Sequence, residues 1–440
     1  MSALAFFMAD SGHFVAGSDR AFERNRSHPV FILSNSKGIP ILPQDGSGID
    51  RSYDFAVFST AVEPDRPEIM RARDLGVPVK SRPEFLAEII SGFKTVAVAG
   101  TSGKSTTSGM LAFLMQRLSL SPGFIGGGRV KQFRTETNPG NSVTGDSDIL
   151  VAEACESDGT LVNYRPEHAL VLNIAYDHHS IEDTLIMFET LTRHTRGKVV
   201  MNADDRNLMA LTPKSPIYFS VDSPSHYRAI EFTFHPLHSE FSVKGIKFSL
   251  SLPGKHNLYN ALSCIAMLSE MGIPLLDTAS ALEAFSGIER RFDIHLDDGK
   301  RLVIDDYAHN PHKISSLMGT VKVIRKEVCY IFQPHGFAPT RMMQKEYIDT
   351  FSMNLRDSDH LILLPILYEG GTVKRDISSY HIAEGIHARG KSVKVIEERK
   401  ALIERAGEHD AYVVFGARDE SLADFARDIA ASLRRIHRIC

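Results

Sequence analysis

A lysine between glycine and hydroxyl-bearing residues follows an apolar segment in the first third of the chain. The sequence reads KTVAVAGTSGKSTTSGML from Lys94 to Leu111, a pattern that predicts a short buried strand, a turn and a helix. Backbone N–H groups of such a turn, together with the start of the helix, bind anionic phosphate oxygens. The predicted phosphate-binding residues are Gly100, Thr101, Ser102, Gly103, Lys104, Ser105 and Thr106.

The spacing of this turn differs from the common phosphate-binding motif G-x-x-x-x-G-K-[ST], because Val98 takes the position of the first glycine. Lys104 is suited to neutralising the β- and γ-phosphates of a nucleotide, and Ser105 or Thr106 to placing a hydroxyl on Mg²⁺. The alternative is a glycine- and serine-rich turn without a ligand, which the lysine disfavours.

Acidic residues and a histidine follow two further apolar segments. Glu153 ends the segment DILVAEA, with Glu156 and Asp158 in the loop behind it, and Asp177 and His178 follow ALVLNIA. A carboxylate at a strand end can reach a metal at the phosphate site, and Mg²⁺ prefers oxygen, so His178 would be a secondary ligand. A solvated acidic loop and a helix N-terminus with exposed histidines are the open alternatives.

Polar residues of three later motifs are further candidates for contacts to a nucleotide or a substrate. Asn257 and Asn260, in GKHNLYNAL, share one helix face and can read a base edge or cap the helix. Arg291, in GIERRF, can supply positive charge to a phosphoryl group or form a surface salt bridge. Asp306 and His309, in VIDDYAHNP, can hold a ribose or substrate or belong to an ordinary turn.

The composition is that of an ordinary globular chain of 440 residues with 43% hydrophobic and 24% charged residues. Its net charge of −4 gives no basic field for nucleic acid. The four cysteines form no CxxC pair, which argues against a zinc knuckle or a disulfide framework and favours a reducing, cytoplasmic setting. Since no apolar run approaches the ~18 residues of a membrane span, we expect no membrane insertion.

Short strand candidates alternate with helices along the chain, which predicts an α/β fold with mostly parallel sheets. We predict three domains, at residues 1–92, 93–292 and 293–440. In the first, strands are expected at residues 13–19 and 54–62, and the former ends in Ser18 and Asp19, where ligands meet parallel sheets.

The opening of the chain departs from a nucleotide-binding α/β domain, which normally begins with a strand and a glycine-rich turn. MSALAFFMADSGHFVAGSD predicts a helix and then a strand. The first strand of the sheet is therefore expected to be missing, and we expect that the chain as given begins at an internal methionine of a longer precursor.

Taken in order, these motifs resemble those of the Mur ligases, the ATP-dependent amide-bond ligases of peptidoglycan precursor synthesis. The family loop G-T-x-G-K-[ST]-[ST] corresponds to Gly100–Thr106, and EACESDGT, NIAYDH, GIERRF, IDDYAHNP and FQPHGFAPTR resemble later family segments. The resemblance covers nearly the whole chain and is greatest to the UDP-N-acetylmuramate–L-alanine ligase branch. It implies a three-domain architecture: a Rossmann-like N-terminal domain, a P-loop-type central ATPase domain and a Rossmann-like C-terminal domain.

The resemblance also implies a reaction and a set of residue roles. ATP would phosphorylate the carboxylate of UDP-N-acetylmuramate, and an amine would attack the acyl phosphate. Catalytic roles fall to Lys104, His178 and Arg291, and Mg²⁺ would be held by Ser105, Glu153 and His178. Asn257, Arg291 and Asp306 would contact ATP. The implied substrate contacts are Ser18, Asp19, His309, His335 and Arg341. Because Lys104 is predicted to lie in a loop, we expect Lys104→Ala to abolish turnover and leave the fold intact.

Two departures from the family pattern concern the amine and the metal. Gly336 and Pro339 replace two arginines suited to gripping an amino-acid carboxylate, so the acceptor is L-alanine, another amino acid or a peptide. Cys155 and Ala175 replace aspartates near the metal site.

Four alternatives stand beside this interpretation. A related ligase attaches a recycled murein tripeptide to UDP-N-acetylmuramate, and a Mur-like protein without catalysis would serve as a binding module. A P-loop kinase or ATPase would need the longer loop, and folylpolyglutamate synthase has no UDP domain ahead of its ATP domain. The enzyme is expected to be a monomer or a homodimer.

Overall fold

A computed structural model describes residues 1–20, 22, 29–60, 62–176, 179–368 and 374–436. The chain divides into two compact units, Met1–Ile288 and Glu289–Cys440. Among the described helices, none has the length and apolar character that crossing a bilayer requires.

The first unit opens with short elements. They are α1 (Ser2–Asp10), β1 (Gly17–Ser18), α2 (Pro29–Ser36), β2 (Ile41–Leu42), β3 (Ala56–Phe58), α3 (Pro67–Leu75), β4 (Val79–Ser81) and α4 (Arg82–Gly92). β1 pairs with β2, and β3 with β4, as two separate parallel pairs. The predicted order of helix and then strand at the chain start is confirmed.

The strands expected at residues 13–19 and 54–62 are shorter than predicted. Among the described residues of these two ranges, Gly17–Ser18 and Ala56–Phe58 adopt strand structure, because strand length is decided by the extent of ladder pairing and not by the apolar run alone. The predicted helix–glycine–strand order at residues 66–80 is confirmed: α3 ends at Leu75, and Gly76 caps it with a φ of 73°, the left-handed conformation that glycine favours.

The rest of the first unit is built on one ten-stranded sheet. Its elements are β5 (Lys94–Ala99), α5 (Lys104–Arg117), β6 (Gly123–Ile125), β7 (Ser142–Val143), β8 (Ile149–Glu153), β9 (His168–Val171), α6 (Ile181–His194), β10 (Val199–Asn202), β11 (Ile217–Ser220), β12 (Tyr227–Phe234), β13 (Ser239–Val243), β14 (Ile246–Leu250), α7 (Lys255–Glu270) and α8 (Leu275–Glu283). The strand order is β14-β13-β12-β11-β10-β9-β5-β8-β6-β7.

β5 lies inside this sheet and is buried on both faces. Val96 and Val98 belong to an apolar cluster with α5 and α7, whereas Ala97 and Ala99 belong to one with α1, α4 and α6. Successive side chains of a strand point to opposite faces, so a continuous apolar run covered by helices on both sides is what this position requires. β5 therefore delivers the loop after it from a rigid core.

An antiparallel meander, β12–β14, departs from the predicted alternation of strands and helices. β13 and β14 are joined by Lys244 and Gly245, which have φ values of 49° and 82°. A two-residue turn with both φ values positive matches the twist of a hairpin. In the sequence, this hairpin is indicated by the Lys-Gly pair between two segments of alternating apolar residues. The sequence analysis predicted helices between all strands and so missed it.

The second unit has a six-stranded sheet in the order β15-β16-β20-β17-β18-β19, parallel except for β15. Its elements are β15 (Asp293–Asp297), β16 (Leu302–Asp306), α9 (Pro311–Ile324), β17 (Cys329–Phe332), α10 (Phe337–Met342), α11 (Gln344–Asn354), β18 (His360–Leu363), α12 (Ser379–His387), β19 (Val393–Val395), α13 (Arg399–Glu404), β20 (Ala411–Phe415) and α14 (Ser421–Ile436). Apolar clusters cover both sheet faces, as parallel sheets require.

Candidate active site

The loop after β5 is shaped by two glycines and ends in the first turn of α5. Gly100 and Gly103 have φ values of 150° and 85°. A Cβ atom on Gly103 would lie 2.5 Å from Oδ1 of Asn260 on α7, so glycine is required there by backbone conformation and by space. The structure thus brings the predicted phosphate-binding residues together at a helix N-terminus, which favours anions.

Lys104 is the first residue of α5, and its ammonium group is held by two oxygens. Nζ donates to the Gly100 carbonyl at 2.6 Å and to Glu156 Oε2 at 2.7 Å. The Lys104 side chain is 11% exposed and that of Glu156 is 2% exposed. Burial is the largest single effect and opposes the charged form of Lys104, but Glu156, Cys155 and Glu153 together outweigh it, so the pKa of Lys104 lies above its usual value.

Ser105 and Glu153 supply neighbouring oxygen atoms beside this lysine. Ser105 Oγ donates to Glu153 Oε1 at 3.2 Å, and the backbone N–H of Gly127 donates to Glu153 Oε2 at 2.8 Å. A hydroxyl and an anchored carboxylate are the hard oxygen donors that suit Mg²⁺. These two residues therefore fit a magnesium ion. The third predicted ligand, His178, lies outside the described residues with Asp177.

Asn257 lies in the first turn of α7, where its amide nitrogen donates to the Pro253 carbonyl at 2.9 Å. It is buried, and its Oδ1 faces the amide of Asn260 at 3.4 Å. Since Asn260 packs on Gly103, the asparagine pair supports the phosphate-binding loop. The predicted contact of Asn257 with adenine stays a prediction.

The two predicted substrate residues near the chain start lie at the end of β1. Ser18 Oγ donates to Glu68 Oε1 at 3.4 Å. Asp19 follows it and accepts, through its carbonyl, the backbone N–H of Phe22 at 3.0 Å. Both are exposed, and their substrate role stays a prediction.

In the second unit the two adjacent arginines differ in environment. Arg290 is buried, where its Nε lies 3.2 Å from Asp305 Oδ2 and its two terminal nitrogens donate to the carbonyls of Gly416 and Asp419. Arg291 is partly exposed, and its Cζ lies 4.8 Å from the ring centroid of Tyr307, in cation–π range. Arg290 is thus tied into the fold, while the guanidinium of Arg291 rests on an aromatic face.

Asp306 ends β16 and holds the turn that follows. Its oxygens accept the backbone N–H groups of Phe292 and Ala308, both at 2.7 Å. His309 lies just beyond, and its ring centroid is 5.4 Å from that of His335. Burial lowers the pKa of each histidine to about 4, so both rings are neutral at pH 7. The structure therefore brings His309 and His335 together.

Arg341 on α10 is engaged by a carboxylate. Its guanidinium contacts Asp376, with Nε 2.9 Å from Oδ1, and also donates to the Lys374 carbonyl at 3.0 Å. Gly336, with a φ of 69°, precedes α10. Of the arginines expected to bind the carboxylate of the acceptor, Arg341 remains, and in this structure it is already paired with Asp376.

Comparisons with known proteins identify the family. The Mur ligase family catalytic domain matches residues 1–94, the Mur ligase middle domain residues 98–268, and the Mur ligase glutamate ligase domain residues 290–418. A UDP-N-acetylmuramate–L-alanine ligase of Streptomyces avermitilis is 32% identical over 421 residues, covering 91% of this chain and 87% of that protein. The chain belongs to the Mur ligase family.

Solved structures agree with this assignment. The crystal structure of the UDP-N-acetylmuramate–alanine ligase MurC of Thermotoga maritima superposes with a TM-score of 0.80 at 26% identity, covering 100% of this chain and 97% of that one. A murein peptide ligase of Psychrobacter arcticus shares the fold, with a TM-score of 0.69 at 23% identity and coverage of 98% and 96%. The predicted Mur ligase architecture and the prediction of an ATP-dependent amide-bond ligase are confirmed. The exact domain bounds stay a prediction.

Three parts of the candidate site were missed by the sequence predictions. Glu156 was noted only as part of an acidic loop, although it pairs with Lys104. Asn173 accepts from Thr101 Oγ1 at 2.9 Å and from the Ser102 N–H at 2.8 Å, and so holds the phosphate-binding loop. Its signal is its place directly behind a buried strand, where parallel sheets carry ligand-facing residues.

The third missed part is the glycine run behind β6, Gly126–Gly128. A Cβ on Gly127 would lie 2.8 Å from Glu153 Oε2, and one on Gly128 would lie 3.1 Å from Ser105 Cβ. The run therefore lets the backbone approach the two predicted metal ligands. Three consecutive glycines directly after a short apolar segment could have indicated this close approach of the backbone.

Proposed function

We propose that this Mur ligase joins an amino acid to the carboxylate of UDP-N-acetylmuramate in peptidoglycan precursor synthesis, using ATP. The observation that carries the proposal is the convergence of Lys104, Ser105 and Glu153 at the N-terminus of α5, in a chain that resembles UDP-N-acetylmuramate–L-alanine ligases over 91% of its length. That arrangement suits a nucleotide triphosphate and a divalent cation.

In the proposed reaction a carboxylate oxygen of UDP-N-acetylmuramate attacks the γ-phosphorus of ATP, which gives an acyl phosphate and ADP. The amine then attacks the acyl carbon, phosphate leaves with the C–O bond electrons, and the amine loses a proton to solvent. Negative charge develops on oxygen in both steps, so fixed cations contribute most to the rate.

The residues of the first unit have definite parts in this scheme. The ammonium group of Lys104 leaves the Glu156 carboxylate, binds phosphate oxygens of ATP, and so neutralises the β- and γ-phosphates. Ser105 and Glu153 hold Mg²⁺, which neutralises phosphate charge when bound. The contacts of Asn257, Arg291 and Asp306 with ATP, and of His178 with a metal, rest on the family resemblance.

The acceptor amine is the open part of the proposal. Gly336 and Pro339 take the places of two expected arginines, and Arg341 is engaged by Asp376. These features favour testing a peptide acceptor beside amino acids, since a murein peptide ligase shares the fold. A cytoplasmic location and a monomeric or homodimeric state stay predictions.

The test is phosphate release from ATP by the purified chain with UDP-N-acetylmuramate and, separately, L-alanine, glycine, L-serine and the murein tripeptide. We expect release that needs both the nucleotide sugar and one of these amines, with the amide product seen by mass spectrometry. Release that does not depend on UDP-N-acetylmuramate would contradict the proposed substrate. Release with the tripeptide alone would move the enzyme to the recycling branch.

A further inference from the structure

Three metal-ligating side chains meet at one edge of the sheet of the second unit. Glu327 precedes β17, His360 opens β18 and His409 precedes β20. The strands lie in the order β20-β17-β18 and run parallel, so their amino ends are neighbours with Glu327 in the middle. This is the edge opposite the strand ends that carry Asp306 and His335, so the group is separate from the candidate catalytic residues of this unit.

The spacing of the three side chains approaches that of a metal site. His409 Nδ1 lies 3.3 Å and His360 Nε2 lies 3.7 Å from the same oxygen, Glu327 Oε1, and the ligand atoms all fall within 4.8 Å of one another. In a tetrahedral zinc site with bonds of about 2.0–2.1 Å, neighbouring ligand atoms lie roughly 3.3 Å apart. Small rotamer adjustments would bring the set to that geometry.

The surroundings of the three side chains leave a position for a further ligand. His409 is 16% exposed and His360 is 45% exposed, which leaves an open side for water. Lys394 lines the same cleft; its charge opposes a cation, but the side chain is exposed and can turn to solvent.

We propose that Glu327, His360 and His409 bind a divalent transition-metal ion of the zinc type, with water completing the coordination. Two imidazoles and one carboxylate select such an ion over Mg²⁺, which prefers oxygen alone. Because the ligands come from three separate segments, the ion ties together the amino ends of β17, β18 and β20. It is a structural site, distinct from the magnesium site at Ser105 and Glu153.

A second group provides an internal control. Among the described residues, His235, His238 and Glu240 form the other cluster of this kind. Its members lie within one exposed hairpin, where the two rings stack with centroids 4.1 Å apart. The rings of His360 and His409 are instead tilted by 41° and come from separate segments, so we assign the site to them and not to the hairpin.

The experiment uses untagged full-length protein, freed of metal with EDTA, and titrates Zn²⁺ by calorimetry with Co²⁺ absorption as a second probe. We expect one saturable site that raises the thermal unfolding midpoint. His409→Ala is expected to lose at least ~tenfold in Zn²⁺ affinity and the thermal shift, and His235→Ala/His238→Ala to keep both.

Glu327→Gln keeps the size of the side chain and serves as the second variant, so that a folding defect in His409→Ala cannot decide the result. It is also expected to weaken Zn²⁺ binding at least ~tenfold. Unchanged affinity in Glu327→Gln, or loss of the site in His235→Ala/His238→Ala, would overturn the proposal. The basal ligase rate with Mg²⁺ and ATP, unchanged in Glu327→Gln, would support a structural site.

Discussion

Lys104 Nζ and Glu156 Oε2 lie 2.7 Å apart, and the carboxylate is 2% exposed. The ion pair joins the first residue of α5 to the loop behind β8, and so fixes the lysine in the phosphate-binding loop before any nucleotide arrives. A phosphate group that binds the Lys104 ammonium must displace the buried carboxylate of Glu156. The pair therefore has a structural part beside the catalytic role proposed for Lys104.

We predict that Lys104→Ala abolishes turnover and, because the lysine pairs with a buried carboxylate, also lowers the free energy of unfolding. Removing the lysine leaves Glu156 buried without its cation, at a cost of about 2 kcal/mol or more. The double variant Lys104→Ala/Glu156→Gln should regain most of this stability without regaining activity. Urea unfolding and phosphate release measure the two effects.

The control for this pair is Lys94→Ala, since Lys94 and Asp148 form an exposed pair. Its loss should change stability by less than about 1 kcal/mol. A double variant as unstable as Lys104→Ala would show that the ion pair is not the source of the effect.

Glu153→Gln is predicted to raise the Mg²⁺ concentration needed for half-maximal turnover by at least ~tenfold. The amide loses the charge that attracts the ion but keeps an oxygen for the Gly127 N–H. Turnover at saturating ATP across a Mg²⁺ series measures the shift. Asp158→Asn is the matched control, because Asp158 lies in the loop that follows Glu153 but pairs with Arg82 at 2.9 Å. An equal shift in both variants would contradict a ligand role for Glu153.

The strand, turn and helix start around Lys104 were predictable because their signals are local. An apolar run, two turn glycines and a helix start lie within 18 consecutive residues, Lys94–Leu111, and each acts through its own backbone conformation. Glu153 could be placed for a related reason, since it ends a strand that pairs directly with β5. Parallel strands side by side bring their carboxyl ends together.

Contacts between distant segments were not predictable in this way. Glu156 is 52 residues from Lys104, and nothing in a loop of several acidic residues indicates which of them faces the lysine. Arg341 likewise carries no sequence sign that Asp376 will engage it. The short strands β1 and β3 show the same limit, because their lengths depend on pairing partners elsewhere in the chain.

His335 is predicted to make the protein less stable in acid. Burial lowers its pKa to about 4, and its Nδ1 is buried without a hydrogen-bond partner among the described residues. Between about pH 6.5 and pH 4, His335 is protonated in the unfolded chain but stays neutral in the folded protein. Stability contributed by the neutral ring is thus present above pH 6.5 and is lost as the pH falls, by up to about 1.4 kcal/mol per pH unit.

His335→Gln should therefore flatten the fall in the thermal unfolding midpoint between pH 7 and pH 5. The exposed His387 supplies the control, and His387→Gln should follow the unsubstituted protein. Identical pH curves for all three proteins would argue against a buried, neutral His335.

Arg341 is predicted to contribute to acceptor binding only when Asp376 releases it. Both side chains of the pair are more than a third exposed, at 40% and 36%, so breaking the pair should cost less than about 1 kcal/mol of stability. Asp376→Asn removes the competing charge and should lower the KM for the acceptor several-fold with kcat little changed. This follows because a freed guanidinium can grip a carboxylate with two hydrogen bonds.

Arg341→Ala should raise the same KM, and Arg341→Lys should restore it only in part, because an ammonium group lacks the planar fork of a guanidinium. The measurement is the steady-state rate against acceptor concentration at saturating ATP and UDP-N-acetylmuramate. A KM that is equal in Asp376→Asn, Arg341→Ala and the unsubstituted enzyme would place the acceptor carboxylate elsewhere, and would leave Arg341 a surface residue that pairs with Asp376.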